Sequence, residues 1–523
     1  MKRLILAALV ALAALPAAAQ TLRIGMKATI DGSDPHQSYS PNRNVQMHVY
    51  ESLVFQDATM HAVPGLAESW RVVDDNTWDF RLREGVTFHD GSPLTVADVA
   101  FSIRRAADAR GLRTYSAQLR AVAGVEEVDA RTVRIRTNGP SPLLPNNLAS
   151  VMIVSAAAVG PNATEDDFNG GRAAVGTGPY RWVRYSPGQD VTLERAARHW
   201  APPEPWQRVV FRFIPNDSAR VSALLAGDVD VVDAVPPALY GRVRTDSRSR
   251  LVTDTSGFNF YIYIDSGRDR SPFVTGVDGQ PLDRNPLKDP RVRQALSIAI
   301  NRVALAERAM EGGAEPAGQI APPGYIGNVP DLAIPRYDPA RARALLAEAG
   351  YPQGFGLTIH CTGDRFAGDA RSCQAIGQMF TAIGIKTEVE TLPSAIFFRR
   401  ANRGPPGEPE FSASLSMFFT TTGVAPEGMS TILRTWNPAL NHGASNRGRY
   451  SDALLDRLLG EIETTLDDSR REALTEQAVR RAMEDVAIIP VFFVRSAWGT
   501  ARNITLTPRG DQYTMATGIR VAR

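Results

Sequence analysis

The stretch LAESWRVVDDNTWDFRLREGVTFHDGSPLTVADVAFSI, residues 66–103, contains in order a hairpin, a turn and the start of a helix. In TWDFRLR, apolar side chains alternate with charged ones, and this period of two predicts a half-buried strand. The preceding ESWRVV predicts its partner, because Asp-Asp-Asn between them favours a turn. Further on, Thr95 with Asp98 three residues later predicts a capped helix.

His89 and Asp90 are neighbours within this stretch, and a histidine beside a carboxylate can indicate catalysis or a metal site. Adjacent side chains on a strand point to opposite faces, so these two would not converge on one substrate. Asp90 followed by Gly91 also predicts a turn in which the aspartate accepts hydrogen bonds from backbone amides. We therefore expect both residues to be structural, with a catalytic pair as the alternative.

Strands and capped helices alternate along the rest of the chain. VEEVDARTVRIRT predicts a second hairpin that turns at Asp129. In YDPARARALLAEAGYP, Asp338 can cap a helix, Pro339 suits its first turn and Gly350 ends it. This arrangement predicts a mixed α/β protein. At 523 residues the chain exceeds what one core usually supports, so two or three lobes are expected.

The amino-terminal residues predict a secretory signal peptide over residues 1–19. Lys2 and Arg3 precede an apolar run, and Ala17 to Ala19 form a small-residue cleavage site before Gln20. No cysteine lies near that site to carry a lipid, so we expect an unanchored protein in the periplasm. Cleavage removes two basic and no acidic residues, which makes the 58 basic and 56 acidic residues of the full chain equal in number. A neutral surface offers no electrostatic reason for a nucleic-acid partner.

The two cysteines, Cys361 and Cys373, predict a disulfide, because they lie close together in a chain that is expected to be exported. Two buried thiols are the alternative. A metal site is not expected, since no histidine pair accompanies them at the usual spacing.

Sequence patterns of enzymes are missing. The seven histidines form no HExxH, no lysine completes SxxK, and GASNR at 443–447 lacks the closing glycine of a nucleophile elbow. No GxxxxGK[ST] loop for binding ATP occurs either. We expect a protein without catalysis or cofactor; a secreted hydrolase with an unrecognised site is the alternative.

The stretch at residues 66–103 resembles the signature of the family 5 solute-binding proteins of ABC importers, the dipeptide, oligopeptide and nickel type. Later segments agree in order and spacing with that family: VGTGPYRWVRYSPGQDVTLER, LLAGDVDVVDAVPP, DPRVRQALSIAINR, YDPARARALLAEAGYP and GQMFTAIGIKTEVE. The resemblance implies an α/β type II periplasmic binding protein of cluster C, with two lobes that close on a ligand and a subdomain inserted in lobe one.

We assign approximate boundaries on this basis. FNFYIYID, from Phe258, and AIIPVFFV, from Ala487, are expected to cross between the lobes as paired buried strands. The assignments are 20–45, 172–260 and 490–523 for lobe one, 46–171 for its insert, and 261–489 for lobe two.

The resemblance also implies the function. The protein would capture a peptide or another small polar solute, as a monomer, and deliver it to the membrane permease subunits of an importer. The same fold can carry other cargo, such as an opine, a sugar or a metal chelate, because a fold does not determine its ligand.

Specificity is expected to depart from that of peptide-binding relatives, which carry a W-x-x-D segment whose aspartate pairs with the ammonium of the ligand. Here Phe418 and Thr421 stand at those positions, whereas Arg371 matches a position that holds a ligand carboxylate. We expect a ligand with an acidic or neutral polar group and no obligatory free amine, so that ordinary dipeptides bind poorly. The alternative is that Arg371 only opens a helix. The expected ligand-binding residues are Tyr39, Arg371, Phe418, Phe419, Thr421 and Trp498.

Overall fold

The computed structural model describes five parts of the chain. The predicted signal peptide and the residues Tyr39, Phe419 and Thr421 lie outside the described residues. Within the described parts, no helix has both the length and the apolar character needed to cross a membrane. The described ranges are 20–37, 40–109, 114–403, 408–418 and 423–522.

The first third of the chain forms strands and helices of modest length. They are β1 (Thr21–Met26), α1 (Ser40–Val49), β2 (Glu51–Ser52), β3 (Val54–Gln56), β4 (Ala62–Pro64), β5 (Ala67–Asp74), β6 (Thr77–Leu82), α2 (Val96–Asp108), β7 (Val122–Asp129), β8 (Thr132–Thr137), α3 (Leu144–Leu148), β9 (Met152–Ile153), α4 (Ala156–Val159) and α5 (Glu165–Asn169).

The next segment contains one unusually long strand, β14. Its elements are β10 (Tyr180–Ser186), β11 (Asp190–Arg195), β12 (Arg208–Phe213), α6 (Asp217–Ala226), β13 (Val231–Val232), α7 (Tyr240–Thr245), β14 (Ser249–Ile264), β15 (Val274–Thr275), α8 (Pro290–Ile298), α9 (Arg302–Ala304) and β16 (Ala314–Pro316).

The remaining segment returns through a second long strand, β20. Its elements are α10 (Pro339–Glu348), β17 (Gly356–Thr362), α11 (Asp369–Ala382), β18 (Lys386–Leu392), α12 (Ser394–Arg403), β19 (Ala413–Phe418), α13 (Ala425–Ile432), α14 (Ala453–Thr464), α15 (Asp468–Glu484), β20 (Ile489–Ala501), β21 (Ile504–Leu506) and β22 (Ile519–Val521).

The predicted hairpins and helix cap are confirmed. Strands β5, β6, β8 and β7 lie in that order in an antiparallel sheet. Thr95 and Asp98 form a reciprocal capping box at the start of α2. Buried and exposed side chains do not alternate strictly along β6, because the side chain of Asp79 on its polar face is only 5% exposed. Arg134 and Arg71 cover it with ion pairs of 2.8 and 3.3 Å.

His89 and Asp90 are structural, as expected. His89 contacts the backbone of a distant loop: its Nε2 lies 2.9 Å from the carbonyl oxygen of Gly178, and the amide of Gly176 donates to its Nδ1. Asp90 accepts from the amide and hydroxyl of Ser92 within its own turn. Burial lowers the pKa of His89, which keeps the imidazole neutral in this role.

One large mixed sheet runs through both lobes, in the order β10-β11-β12-β1-β13-β20-β14-β19-β17-β15, with β16 beside β20 and β18 beside β17. Parallel pairs occur on both sides of its middle: β1 with β12 and β13, and β17 with β18 and β19. The centre is the antiparallel pair of β14 and β20, which contain the two predicted crossing segments. Both crossing strands are therefore confirmed as a pair.

The crossing pair is irregular at its middle. Thr255 pairs with Arg495 and Asn259 with Phe493, so β14 has two more residues than β20 in this interval. The extra residues form a bulge that bends the strand. The hydroxyl of Ser256 replaces one of the missing backbone hydrogen bonds by donating to the carbonyl oxygen of Val494 at 2.7 Å.

Separate apolar cores lie on the two sides of this pair and in the insert. Although the predicted insert spans 46–171, Val49, Val154 and Phe168 pack with strand β1 in the core of lobe one. The core of the insert itself contains residues from Leu53 to Ile153. Packing therefore favours a shorter insert than the sequence boundaries suggest.

The predicted disulfide is present. Cys361 near the end of β17 and Cys373 in α11 are bonded, with a Cα–Cα distance of 6.4 Å, and both are fully buried. The bridge encloses the loop that connects this strand to this helix.

Replacing both cysteines by alanine should lower the free energy of unfolding by about 3 kcal/mol, because the unfolded chain loses a loop constraint. Guanidinium unfolding of the oxidised proteins measures this difference. As a control, dithiothreitol should destabilise the wild type and leave the double variant unchanged. Equal unfolding midpoints for the oxidised wild type and the variant would contradict the prediction.

Candidate functional site

A cavity of about 350 Å³ lies between the lobes, against the bulge of the crossing strands. Phe258 on β14 and Trp498 on β20 belong to its wall. Asp233 contributes from lobe one, and Met310 and Phe366 contribute from lobe two. A solute in this cavity would therefore touch both lobes and both crossing strands.

The lobe-one wall consists of the ends of three parallel strands. Lys27 follows β1, Asp217 begins the helix after β12, and Asp233 follows β13 directly. Ligands of α/β proteins bind outside the carboxyl ends of such strands, because loops there converge while the rest of the sheet is packed. Hence three charged side chains that are far apart in sequence meet at one edge.

A buried guanidinium holds this edge together. Arg220 of α6 is fully buried, and its Nη2 donates to Asp217 at 2.6 Å and to the carbonyl oxygen of Ala234 at 2.8 Å. Its Nε donates to the carbonyl oxygen of Asp233 at 3.1 Å, and its Nη1 to that of Ile214 at 2.9 Å. The guanidinium thus donates hydrogen bonds to buried loop carbonyls that are not bonded within the sheet. Ala234 is held at a φ of 44°, in the left-handed region.

The carboxylate of Asp233 is poorly compensated. Its side chain is 13% exposed, and its Oδ1 accepts the backbone amide of Lys27 at 2.7 Å. Arg220 approaches only to 3.5 Å. Burial raises the pKa of Asp233 from 3.8 to about 6, against the opposing attraction of Arg220 and Lys27. A buried acid with a raised pKa in a cleft is a candidate for a functional group.

Positive charge lies next to the lobe-two wall of the cavity. Phe366 and Ala367 line the cavity in the loop after β17, and Arg365 directly precedes them. The guanidinium carbon of Arg365 lies 4.4 Å from the ring centre of Phe398, and that of Arg447 lies 5.4 Å from the same centre.

No carboxylate in the described part of the chain forms an ion pair with either arginine. Arg447 instead donates to the side chains of Asn402 and Ser416. Burial and, secondarily, repulsion from Arg447 lower the pKa of Arg365. Two arginines on one ring without a counter-ion make this wall suited to an anionic group.

The sequence-predicted residues are distributed unevenly around this cavity. Trp498 lies in its wall, almost fully buried, and its Nε1 donates to Thr514 at 2.9 Å. Phe418 lines a separate cavity of about 20 Å³ with Gly257. The guanidinium of Arg371 is 2.5 Å from Glu311, so this neighbour already neutralises it.

Sequence reasoning did not select Asp233, Arg365 or Arg447. Asp233 follows a two-residue strand, which is too short for any periodic pattern. Arg365 is six residues before the selected Arg371 and differs from it in lacking a carboxylate partner, which only the fold reveals. The signal that was available is the position of Asp233 directly after an apolar strand segment and of Arg365 three residues after another, because ligand-binding loops of α/β proteins occur there.

Two further cavities are less suited to a captured solute. One of about 250 Å³ contains Glu51, whose carboxylate is already bonded to His199 and Trp200 at 3.1 Å each. The other, about 610 Å³, is a groove between the insert and α15 that does not reach the crossing strands. Within the described ranges, no three His, Cys, Asp or Glu side chains come together as a metal-binding group.

Replacing Asp233 by asparagine should raise the free energy of unfolding at pH 7.5 by up to about 3 kcal/mol, because the acceptor for Lys27 remains while a buried charge is removed. The folded-state pKa lies above the unfolded value, so the folded protein binds the proton more tightly. Wild-type stability therefore falls as pH rises from about 4 to about 6.

Denaturant unfolding at pH 4 and 7.5 tests both statements, since the variant should lose this part of the pH dependence. The charged groups facing Asp233 are Lys27, Asp217 and Arg220, and all three are retained. Asp228→Asn, an exposed change in the same lobe, serves as the control. A variant less stable than the wild type at both pH values would show that Asp233 is a purely structural ion-pair partner.

Comparison with known proteins agrees with this geometry. The glutathione-binding protein GsiB of Escherichia coli strain K12 is 28% identical over 488 residues, which cover 91% of this chain and 89% of that protein. HbpA2 from Haemophilus parasuis has a structure similar to this chain, with a TM-score of 0.82 at 24% identity, covering 96% of this chain and 100% of that one. The unliganded open form of the periplasmic murein tripeptide-binding protein MppA also gives 0.82, at 22% identity over 97% and 98% of the two chains.

The family model of the bacterial extracellular solute-binding proteins, family 5, matches residues 61–439. That match covers more than half of the chain and includes the signature hairpin, α2 and most of lobe two. The two-lobed α/β fold with a cleft between its lobes is also the fold of these solved structures. The protein therefore belongs to family 5 of the bacterial extracellular solute-binding proteins, the solute-binding subunits of ABC importers.

Proposed function

We propose that the cavity beside the crossing strands captures a small solute that carries at least one carboxylate, and that its capture closes the lobes for recognition by the permease. The observation that supports this most is the cavity itself, which joins strand ends of both lobes at the bulge. A ligand touching both lobes stabilises the closed arrangement by its higher affinity for that arrangement.

The chemistry of lobe two supports a carboxylate ligand. Arg365 and Arg447 have no acidic partner among the described residues, and a guanidinium fork matches a carboxylate in shape and charge. Relatives named for binding glutathione align with 91% of this chain, and glutathione carries two carboxylates. Glutathione and short peptides are therefore the first solutes to test, with opines, sugars and metal chelates as alternative cargo.

The structure supports a ligand-binding role for some of the residues predicted from sequence better than for others. Trp498 belongs to the cavity wall, and Phe418 borders the smaller cavity next to it. Arg371 is a weaker candidate than Arg365, because Glu311 already binds it. Tyr39, Phe419 and Thr421 remain predictions for a ligand-binding role.

The proposal also covers the processing, the cellular location and the lobe boundaries of the protein. We propose that residues 1–19 are removed as a signal peptide, and that the mature protein is a monomer in the periplasm without a lipid anchor. Lobe one would comprise 20–45, 172–260 and 490–523, and lobe two 261–489, with an insert inside 46–171.

Glutathione at a hundredfold its dissociation constant should stabilise the protein by about 2.7 kcal/mol and reduce its radius of gyration. Arg365→Gln should weaken binding at least tenfold, because the carboxylate loses its main countercharge. Calorimetry and small-angle scattering measure the two effects. Arg399→Gln, an exposed change on α12 next to Phe398, should leave both unchanged. A tightly bound solute that alters neither the melting temperature nor the scattering would refute capture by lobe closure.

A further inference from the structure

One oxygen of the Asp233 carboxylate is not bonded to any group in the described ranges. Its Oδ1 accepts the amide of Lys27, whereas its Oδ2 accepts no hydrogen bond from any described residue. The residue lines the interlobe cavity and lies at the carboxyl end of β13. The carboxylate has lost most of its contact with water, and a donor in the cavity can bond this oxygen in place of the water that remains.

The neighbouring cations do not supply that donor. The ammonium of Lys27 lies 3.3 Å from Asp217, with which it pairs, and it attracts Asp233 without donating a hydrogen bond to that carboxylate. All three nitrogens of the Arg220 guanidinium donate to loop carbonyls, and one of them also donates to Asp217. Both cations attract Asp233, but neither side chain donates a hydrogen bond to its carboxylate.

A second polar group in the same wall is also unpaired. Ser496 of β20 is 6% exposed and lines the cavity, and its hydroxyl makes no hydrogen bond in the described part of the chain. Most buried hydroxyls in proteins are bonded, so the hydroxyl of Ser496 is available to a group that enters the cavity. This observation is independent of the charge on Asp233.

We propose that Asp233 and Ser496 form a subsite for the primary ammonium group of the solute. The inference rests on the proposed function and deepens it: the solute is a zwitterion whose ammonium faces lobe one and whose carboxylate faces Arg365 and Arg447 in lobe two. An ammonium carries three donors, so it has enough of them to bond both a carboxylate oxygen and a hydroxyl. A metal ion fits this edge less well, since no three-residue ligand group exists among the described residues.

This subsite would supply the countercharge that peptide-binding relatives obtain from an aspartate at the position of Thr421. The sequence-based expectation of a ligand without an obligatory amine considered only lobe two. Here the countercharge for the ammonium comes from the opposite lobe, so the cation and the anion of one solute would hold different lobes. Because the charges on the two sides of the cavity are opposite, a ligand would need both an ammonium and a carboxylate to stabilise the closed arrangement.

The test compares two pools of the same dipeptides and tripeptides, one with free amino termini and one N-acetylated, by thermal shift and by native mass spectrometry. The wild type should bind members of the free pool at least tenfold more tightly than their acetylated forms. Asp233→Asn should abolish this preference, and Ser496→Ala should reduce it several-fold. Asp228→Asn should preserve it.

Each remaining outcome has a defined meaning. Equal binding of the two pools, or an undiminished preference in Asp233→Asn, overturns the ammonium subsite. If neither pool binds but glutaric acid, which has no amine, stabilises the wild type, the subsite is refuted while solute capture stands. If no peptide and no carboxylic acid binds, the proposed function fails as well. Ser496→Ala keeps the test valid should the Asp233 variant not fold.

Discussion

The antiparallel pairing of β14 with β20 is the interaction on which the rest of the molecule depends. These two strands join sheets that would otherwise belong to separate lobes, and they carry the bulge at Ser256 to Phe258. The bulge bends the strand pair and increases its local twist. The cavity lies against this bulge, so the shape of the strand pair determines how the walls from the two lobes face each other.

The two walls differ in how their charges are compensated. In lobe one the buried Arg220 binds loop carbonyls and Asp217, and so creates the ordered edge at which Asp233 remains short of a partner. In lobe two Arg365 and Arg447 share the ring of Phe398 without an acid. Unpaired charge of opposite sign in the two lobes costs stability in the free protein, and a solute that carries both charges recovers it.

Local features could be predicted from the sequence because their causes are local. The hairpin β5–β6, the Thr95 cap and the turn around Asp90 each depend on residues within about fifteen positions. The contacts of His89 with Gly176 and Gly178 do not, because that loop lies almost ninety residues away. The disulfide also followed from spacing and expected export. The covered Asp79 was not predictable, since Arg134 reaches it from a strand more than fifty residues away.

The site shows the same division. Sequence comparison led to Arg371, one helical turn from the end of the correct loop, but could not show that Glu311 neutralises it. Asp233 and Ser496 are separated by more than two hundred residues and line the same cavity because β13 and β20 lie side by side.

By itself the sequence determined the local elements, the family and the existence of two lobes, because periodicity, capping and motif order are properties of nearby residues. Only the tertiary structure decided which charges at the cleft are satisfied and which are left for a solute, because compensation depends on distances between segments that the chain order does not specify.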